Sequence, residues 1–220
     1  MKIKTKDNFL DYIQSERSWR RQELTNIKAL VHSSRNFSQN TIIRCAILLL
    51  YSHWEGYIKK VCEAFFRYLN FKSFKYTDLK INFIAIGVEK EFRTKLQHKQ
   101  FNTYLESVKF ILEDCSDKKF KINVETSIDT KSNLNTEVLD NLLNMIGIYT
   151  DHFNNHKSYI DNKLLKYRNA IAHGERTDNN PNYYVSLEDF NLLYDRINEL
   201  TDHFESLIIN YLESEGYKST

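Results

Sequence analysis

The segment that decides the fold is residues 38–69, SQNTIIRCAILLLYSHWEGYIKKVCEAFFRYL. Its large apolar side chains recur at steps of three and four residues, the spacing that places them along one side of an α-helix. They are Ile43, Ile47, Leu50, Trp54, Tyr57, Val61 and Phe65. The pattern predicts one long, mostly buried helix, and Ser38 is the predicted N-cap residue.

Further amphipathic helices are predicted on both sides of this segment. Their ranges are 7–35, 81–96, 101–112, 135–147, 157–173 and 187–212. Gly147 and Gly174 follow two of these ranges at the position where a left-handed residue ends a helix. Ser186 and Asp189 resemble a capping box, which predicts where the last helix starts. Residues 175–185, which include the only proline, are predicted to form a loop.

A different pattern occupies residues 118–128, where polar and apolar side chains alternate with period two. Such alternation is typical of a short strand or hairpin, so we predict a small β insertion near residues 118–130. The length of 220 residues suits one domain. We therefore predict a mainly α-helical bundle with long antiparallel helices, as a single domain over residues 1–220 with an insertion at about residues 70–130.

The overall composition excludes several classes of protein. The 31 Lys and Arg residues nearly balance the 29 Asp and Glu residues, unlike a general nucleic-acid binder of the histone type. Five glycines and one proline argue against a Gly-rich nucleotide-binding fold or a Pro-rich linker protein. The N-terminus lacks a signal-peptide pattern, and the most apolar run, residues 45–51, is too short to span a membrane. Three scattered cysteines favour neither a disulfide framework nor a zinc site, so we expect a soluble protein of the reducing cytoplasm.

The stretch with the most chemistry is YRNAIAHGE, residues 167–175. Arg168, Asn169 and His173 place three polar groups suited to phosphate chemistry within six residues. Asn169 and His173 are four residues apart, so they share one face of a helix. On spacing alone, a helix-capping histidine and a surface arginine are the simpler explanation.

The Arg-Asn-x3-His spacing of these residues resembles the signature of the HEPN superfamily, named for higher eukaryotes and prokaryotes nucleotide-binding. Two further segments, LLLYSHWEG at residues 48–56 and SNLN at residues 132–135, resemble the prokaryotic HEPN-like nucleases of the RiboL-PSP-HEPN type. Three blocks in the expected order are more specific than one short motif. Together they cover most of residues 38–215.

The resemblance implies a helical homodimer in which two copies of the motif line one cleft. It implies a metal-independent endoribonuclease, without a cofactor, that uses the ribose 2′-OH and leaves a 2′,3′-cyclic phosphate and a 5′-hydroxyl. Arg168 would stabilise the charge that develops on the phosphorane oxygens, His173 would move a proton, and Asn169 would orient His173 or the phosphate. The setting would be a prokaryotic toxin or anti-phage defence system, with an antitoxin or defence protein as a further partner and no membrane. The alternative is a non-catalytic HEPN module that binds RNA, a nucleotide or a partner protein.

Glu55, in the second of these blocks, has two explanations. As a surface residue it would form an ion pair with Lys59, one helical turn away. As a supporting residue it would hold Arg168 or His173 in position. The sequence leaves both explanations open.

Charged and histidine side chains around the motif are weaker candidates. Lys163, Lys166 and Arg176 are candidate RNA contacts, although a solvated helix face has the same pattern of charges. His152 and His156 have a spacing that metal sites use, but the sequence offers no recognisable third ligand. We therefore predict no metal site.

Overall fold

The computed structural model describes residues 2–95, 101–176, 180 and 182–219. The α-helices in these ranges are α1 Lys6–Ser33, α2 Asn36–Lys72, α3 Ile81–Lys95, α4 Phe101–Lys109, α5 Val124–Ser127, α6 Thr136–Ile146, α7 His152–Asn155, α8 Lys157–Tyr159, α9 Lys166–Ala172 and α10 Leu187–Glu213. Phe110–Asp114 and Ile160–Leu165 have π-helical geometry, and Tyr76–Asp78 forms a 3-10 turn. The prediction of a mainly α-helical fold is confirmed.

Three long helices, α1, α2 and α10, form the scaffold. α1 runs antiparallel to α2: Gln39 donates to the Val31 carbonyl at one end, and Arg20 lies against Gly56 further along. α10 in turn runs antiparallel to α1, because residues later in α10 form ion pairs with residues earlier in α1. These pairs include Lys28 with Asp195 at 2.7 Å and Arg17 with Asp202 at 2.7 Å. The predicted long antiparallel helices are therefore present.

The main hydrophobic core is built around α2, whose apolar side chains Leu50, Trp54, Val61 and Phe65 are almost fully buried. A second, smaller cluster lies at the N-terminal end of α2. It contains Val31, Ile43, Ala46, Ile47, Val185 and Phe190, with Tyr167 and Ile171 packed against it. This smaller cluster fixes α9 and the following loop against α2. No helix in the described ranges is both long and apolar enough to span a bilayer.

The helix ends predicted from glycine and the capping box are confirmed. Gly147 and Gly174 adopt φ of +87° and +77°, the left-handed region in which glycine has no steric penalty. The Ser186 hydroxyl accepts a hydrogen bond from the Asp189 backbone N–H at 3.0 Å. These three positions set where α6, α9 and α10 end or begin.

The predicted N-cap at Ser38 is wrong, because α2 begins at Asn36. The turn between α1 and α2 contains only Ser34 and Arg35, which leaves the last carbonyls of α1 without helical partners. The side-chain amide of Gln39 donates to the carbonyls of Val31 and Ser34 at 3.2 and 3.1 Å. The tight reversal therefore sets the start of α2, rather than the preference of a serine for the cap.

The small β insertion predicted near residues 118–130 is wrong: the described residues there form no strand, only an isolated bridge at Lys119 and the short helix α5. The apolar side chains of the alternation are buried, but the backbone of the segment pairs with the end of α2 and its following turn. Asn70 donates to the Ile122 carbonyl and accepts from its N–H, and the Phe120 N–H donates to the Phe74 carbonyl at 2.8 Å. The alternation of polar and apolar residues thus reflects an extended segment. Its backbone groups make their hydrogen bonds with neighbours other than a second strand.

Two predicted helices are interrupted. The range 157–173 comprises α8, a π-helical stretch over Ile160–Leu165, and α9. The range 101–112 is α-helical only to Lys109 and then continues as a π-helical stretch to Asp114. The predicted end at Leu96 lies outside the described residues, and the division into one domain with an insertion stays a prediction.

Candidate active site

Three segments that are distant in sequence meet at Arg168. Its guanidinium, on α9, donates through Nη1 to Asn169 Oδ1 at 2.6 Å and through Nη2 to the carbonyl of Ser132. Asn169 Nδ2 donates to Asn133 Oδ1 at 3.4 Å. The ring of Tyr51, on α2, lies against the guanidinium, with 4.1 Å between Arg168 Cζ and the ring centroid. The three segments that resemble HEPN nucleases are therefore in direct contact.

These contacts fix the direction of the Arg168 guanidinium without using all of its donors. A guanidinium carries five N–H groups, and the two hydrogen bonds use one group on each Nη atom. The cation–π contact with Tyr51 holds the plane of the group. The guanidinium of the half-buried Arg168 is therefore oriented by its own chain, and it keeps N–H groups that make no hydrogen bond with the described residues.

Tyr51 links Arg168 to the core and to Glu55. Its hydroxyl accepts a hydrogen bond from the buried N–H of Leu134 at 2.7 Å. Burial, followed by the nearby Glu55 carboxylate, raises the pKa of Tyr51 to about 12, so the phenol stays neutral. Glu55 Oε1 is buried and has no hydrogen-bond partner among the described residues, and no ion pair joins Glu55 to Lys59 there. Glu55 is thus placed beside the tyrosine on which Arg168 stacks, and it reaches Arg168 only through that ring.

His173 ends α9, and its side chain is exposed. Its backbone N–H donates to the Asn169 carbonyl at 2.9 Å, and the Glu175 N–H closes the helix by donating to the Ala170 carbonyl at 2.9 Å. The left-handed Gly174 makes this closure possible. The imidazole makes no hydrogen bond with the residues that the structure describes, so both ring nitrogens are accessible to a ligand or a second chain.

The turn that receives Arg168 is held in an uncommon conformation. Lys131 and Ser132 adopt φ of +54° and +52°, which costs about 1–3 kcal/mol for each non-glycine residue and persists only where the surroundings enforce it. Asp161, in the π-helical stretch, anchors the start of the helix that follows this turn. Its carboxylate accepts from the Thr136 N–H and the Thr136 hydroxyl, both at 2.8 Å. The first turn of α6 is thereby tied to the segment that leads into α9.

Sequence reasoning missed the roles of Tyr51, Asn133 and Asp161. The first two lie within the segments that resemble HEPN nucleases, so the resemblance contained a signal for them, but no rule of spacing pairs them with Arg168 or Asn169. Asp161 carries no such signal. Its partner Thr136 is 25 residues earlier in the chain, and only the packing of α6 brings the two together.

The three candidate RNA contacts face different neighbours. Lys166 Nζ lies 5.5 Å from the centroid of the Tyr183 ring, in the loop that follows the motif. Lys163 Nζ lies 5.0 Å from the Tyr159 ring, on α8, which packs against α10. Arg176 is exposed just beyond Gly174. Contact of these residues with RNA stays a prediction.

His152 and His156 are joined by His203 of α10, which the sequence did not reveal. The ring centroids of His152 and His203 are 3.7 Å apart and the planes differ by 23°. Because the lone pairs of an imidazole lie in the ring plane, two stacked rings cannot both point at one ion. In the described ranges, no group of three or more His, Cys, Asp or Glu side chains is arranged to hold a metal.

We expect this histidine cluster to make stability depend on pH. Burial, and then the nearby His203 and His156, lower the pKa of His152 below its ordinary value of 6.5. Below that pH the unfolded chain binds a proton at this position more readily than the folded protein, which favours unfolding. The free energy of unfolding should therefore fall from about pH 7.5 to about pH 5.5, and His152→Gln should reduce the fall.

Urea denaturation across this pH range measures the effect. The control is His32→Gln on α1, which removes a histidine that bonds Asn191 and lies outside the cluster. An equal loss of stability on acidification in wild type and His152→Gln would contradict the assignment.

The fold and site together define an all-α bundle in which a short helix presents arginine, asparagine and histidine beside the central helix. The model of the RiboL-PSP-HEPN family matches residues 15–210, and the chain belongs to this family. Membership suggests a ribonuclease or another nucleotide-related function, because HEPN domains are often ribonucleases. No curated protein and no solved structure matches the chain.

Proposed function

We propose that this protein is a metal-independent endoribonuclease. The observation that carries the proposal is the orientation of the Arg168 guanidinium by Asn169, Ser132 and Tyr51. Arg168 lies on the same short helix that ends at the accessible His173. In the reaction, the ribose 2′-oxygen attacks the adjacent phosphorus and the bond from phosphorus to the 5′-oxygen breaks. The products are a 2′,3′-cyclic phosphate and a 5′-hydroxyl.

Each side chain has a distinct role in this reaction. Arg168 donates its remaining N–H groups to the non-bridging oxygens and stabilises their developing charge. His173 transfers a proton, and Asn169 holds the Arg168 guanidinium in position through the 2.6 Å hydrogen bond. Glu55 supports the site through Tyr51, and Lys163, Lys166 and Arg176 contact the RNA backbone. The charge of the bound phosphate is balanced by arginine, so the mechanism needs no metal.

The need for both an acid and a base supports a homodimer. One imidazole can remove the proton from the 2′-OH, but a second group must protonate the departing 5′-oxygen. Two copies of α9 across a twofold axis would supply two His173 side chains to one cleft. The exposure of His173 at the end of α9 leaves it accessible for such a pairing. The setting that fits a small ribonuclease of this family is a toxin or an anti-phage effector, held inactive or triggered by a partner protein.

A non-catalytic module is the second candidate, and the contacts of Arg168 are compatible with it. Two of its donors are already bonded within the chain, so the site is ordered without any substrate and can bind a phosphate without reacting. Such a module would bind RNA, a nucleotide or a partner protein through the same surface. The two candidates differ in whether RNA is turned over.

The decisive experiment is incubation of the wild-type protein with RNA in excess EDTA. We expect fragments with 5′-hydroxyl and 2′,3′-cyclic phosphate ends, because the 2′-OH is the nucleophile. The 5′ ends should accept label from polynucleotide kinase directly, and the 3′ ends should resist phosphatase until acid opens the ring. The same oligonucleotide with 2′-deoxyribose throughout is the matched control and should remain intact. Fragments with 5′-phosphates would contradict the mechanism, and RNA binding without fragments would favour the non-catalytic module.

A further inference from the structure

A pocket of about 230 Å³ lies beside the last turn of α9, between this helix, the first turns of α2 and the loop before α10. It is smaller than the roughly 300–1,000 Å³ of sites for drug-sized ligands, so it suits one planar ring system. The residues that give it its chemistry are Phe37, Asn40, Arg44, Ile171, Tyr183 and Tyr184.

The aromatic side chains at this pocket are unusually accessible. Phe37 is 86% exposed and Tyr184 is 46% exposed, whereas Ile47 and Ile171 form an apolar floor against the smaller core cluster. An exposed phenylalanine buries little apolar surface, so Phe37 contributes little to the stability of the fold. Aromatic rings beside a small apolar floor are the surface on which unpaired bases stack, and each stacked base contributes measurably to affinity.

The polar groups of the pocket select a base rather than a purely apolar ligand. The side-chain amide of Asn40 makes no hydrogen bond within the described structure, so its donor and acceptor are both available. Arg44 Nη1 donates to the Glu175 carbonyl at 3.0 Å, which positions its charge at the rim. The described residues that line the pocket include no carboxylate. An amide pairs through two hydrogen bonds with the N6 amino group and N7 of adenine.

We propose that this pocket receives an unpaired base of single-stranded RNA, adenine by preference, next to the phosphate bound by the Arg-Asn-x3-His motif. The proposal rests on the proposed function for the identity of the polymer. The geometric support for the proposal is that the pocket lies directly beside the motif. Ile171 lines it two residues before His173, and the Arg44 bond to Glu175 closes it two residues after His173. Lys166 lies over the Tyr183 ring and adds a positive charge at the same edge.

The test is fluorescence anisotropy with labelled 2′-O-methyl heptamers of adenine, uracil or cytosine. These oligonucleotides lack the 2′-OH nucleophile, so binding is measured without cleavage. We expect the adenine heptamer to bind most tightly, and Tyr184→Leu and Asn40→Ala each to weaken it at least about fivefold. Asn40→Ala should also remove the preference for adenine over uracil. Tyr149→Leu and Asn210→Ala are the matched controls on other surfaces and should bind as wild type does.

The outcomes separate this proposal from the ribonuclease proposal. Adenine binding that depends on Tyr184 and Asn40 supports the pocket even if wild type cleaves no RNA. If both pocket variants cleave RNA with unchanged kcat/KM, the proposal of a base-binding pocket is overturned and the ribonuclease proposal stands. A change of sedimentation coefficient in Tyr184→Leu or Asn40→Ala, with RNA affinity unchanged, would show that a second copy of the chain occupies the pocket, and would also overturn it.

Discussion

His173→Ala is expected to slow RNA cleavage by about 100-fold or more, because general acid–base catalysis typically contributes 10²–10⁴ to the rate. The fold should be unaffected. The imidazole is exposed, and the bond from the residue-173 N–H to the Asn169 carbonyl survives the substitution. The free energy of unfolding should therefore change by less than about 0.5 kcal/mol. Single-turnover cleavage of a labelled RNA in EDTA, together with urea denaturation, measures both quantities.

Arg168→Lys provides the companion test, because lysine keeps the positive charge but lacks the planar pair of donor nitrogens of a guanidinium. The single ammonium nitrogen of a lysine cannot replace the two nitrogens that donate separately to Asn169 and Ser132, and lysine lacks the planar group that lies against Tyr51. We expect the cleavage rate to fall by about 10²–10³, as for removal of an oriented donor to a developing oxyanion. Arg21→Lys, an exposed position on α1, is the control and should cleave normally. Wild-type rates in both His173→Ala and Arg168→Lys would remove the motif from the mechanism.

Much of the helical scaffold could be predicted from the sequence because its signals are local. The apolar stripe of α2 and the glycines at 147 and 174 act through their own backbone or neighbouring turns, and the structure agrees with each. The extended segment around Ile122 could not be predicted in this way. Its backbone partner is the side chain of Asn70, 52 residues away, so alternation alone cannot tell it from a strand. The π-helical stretch at Ile160–Leu165 has no pattern of its own in the sequence.

In the candidate site, too, local features could be predicted from the sequence and long-range contacts could not. The chemistry of Arg168, Asn169 and His173 is readable from one short motif, and their helical placement follows from its spacing. What orients Arg168 is not readable, because its acceptor at Ser132 is a backbone carbonyl 36 residues earlier, and any residue type supplies a carbonyl. The supporting contact from Tyr51 crosses from another helix. The sequence therefore names the candidate reacting groups, whereas tertiary packing decides which of them is held in place.

The exposed end of α9 is the part of the candidate site that packing within one chain leaves unsupported, and the proposed dimer would support it. Arg168 is fixed by its own chain, but His173 has no orienting partner among the described residues. Residues that catalyse proton transfer are usually held by a further group. A second copy of the chain would supply that group and also the second imidazole that the chemistry requires. The composite site is thus testable by diluting wild-type chains with inactive ones.

We expect mixtures of wild-type and His173→Ala chains to lose activity faster than dilution alone would cause. The chains are mixed in urea at constant total concentration and refolded together, so that dimers form at random. If one cleft needs both imidazoles, activity follows the square of the wild-type fraction, about one quarter at equal amounts. If each chain acts alone, activity follows the fraction itself. Tyr149→Leu, which keeps the motif, is the matched diluent and should cause no loss. A linear decline with His173→Ala would show that each chain carries a complete site, because a shared cleft cannot retain half its activity when three dimers in four lack an imidazole.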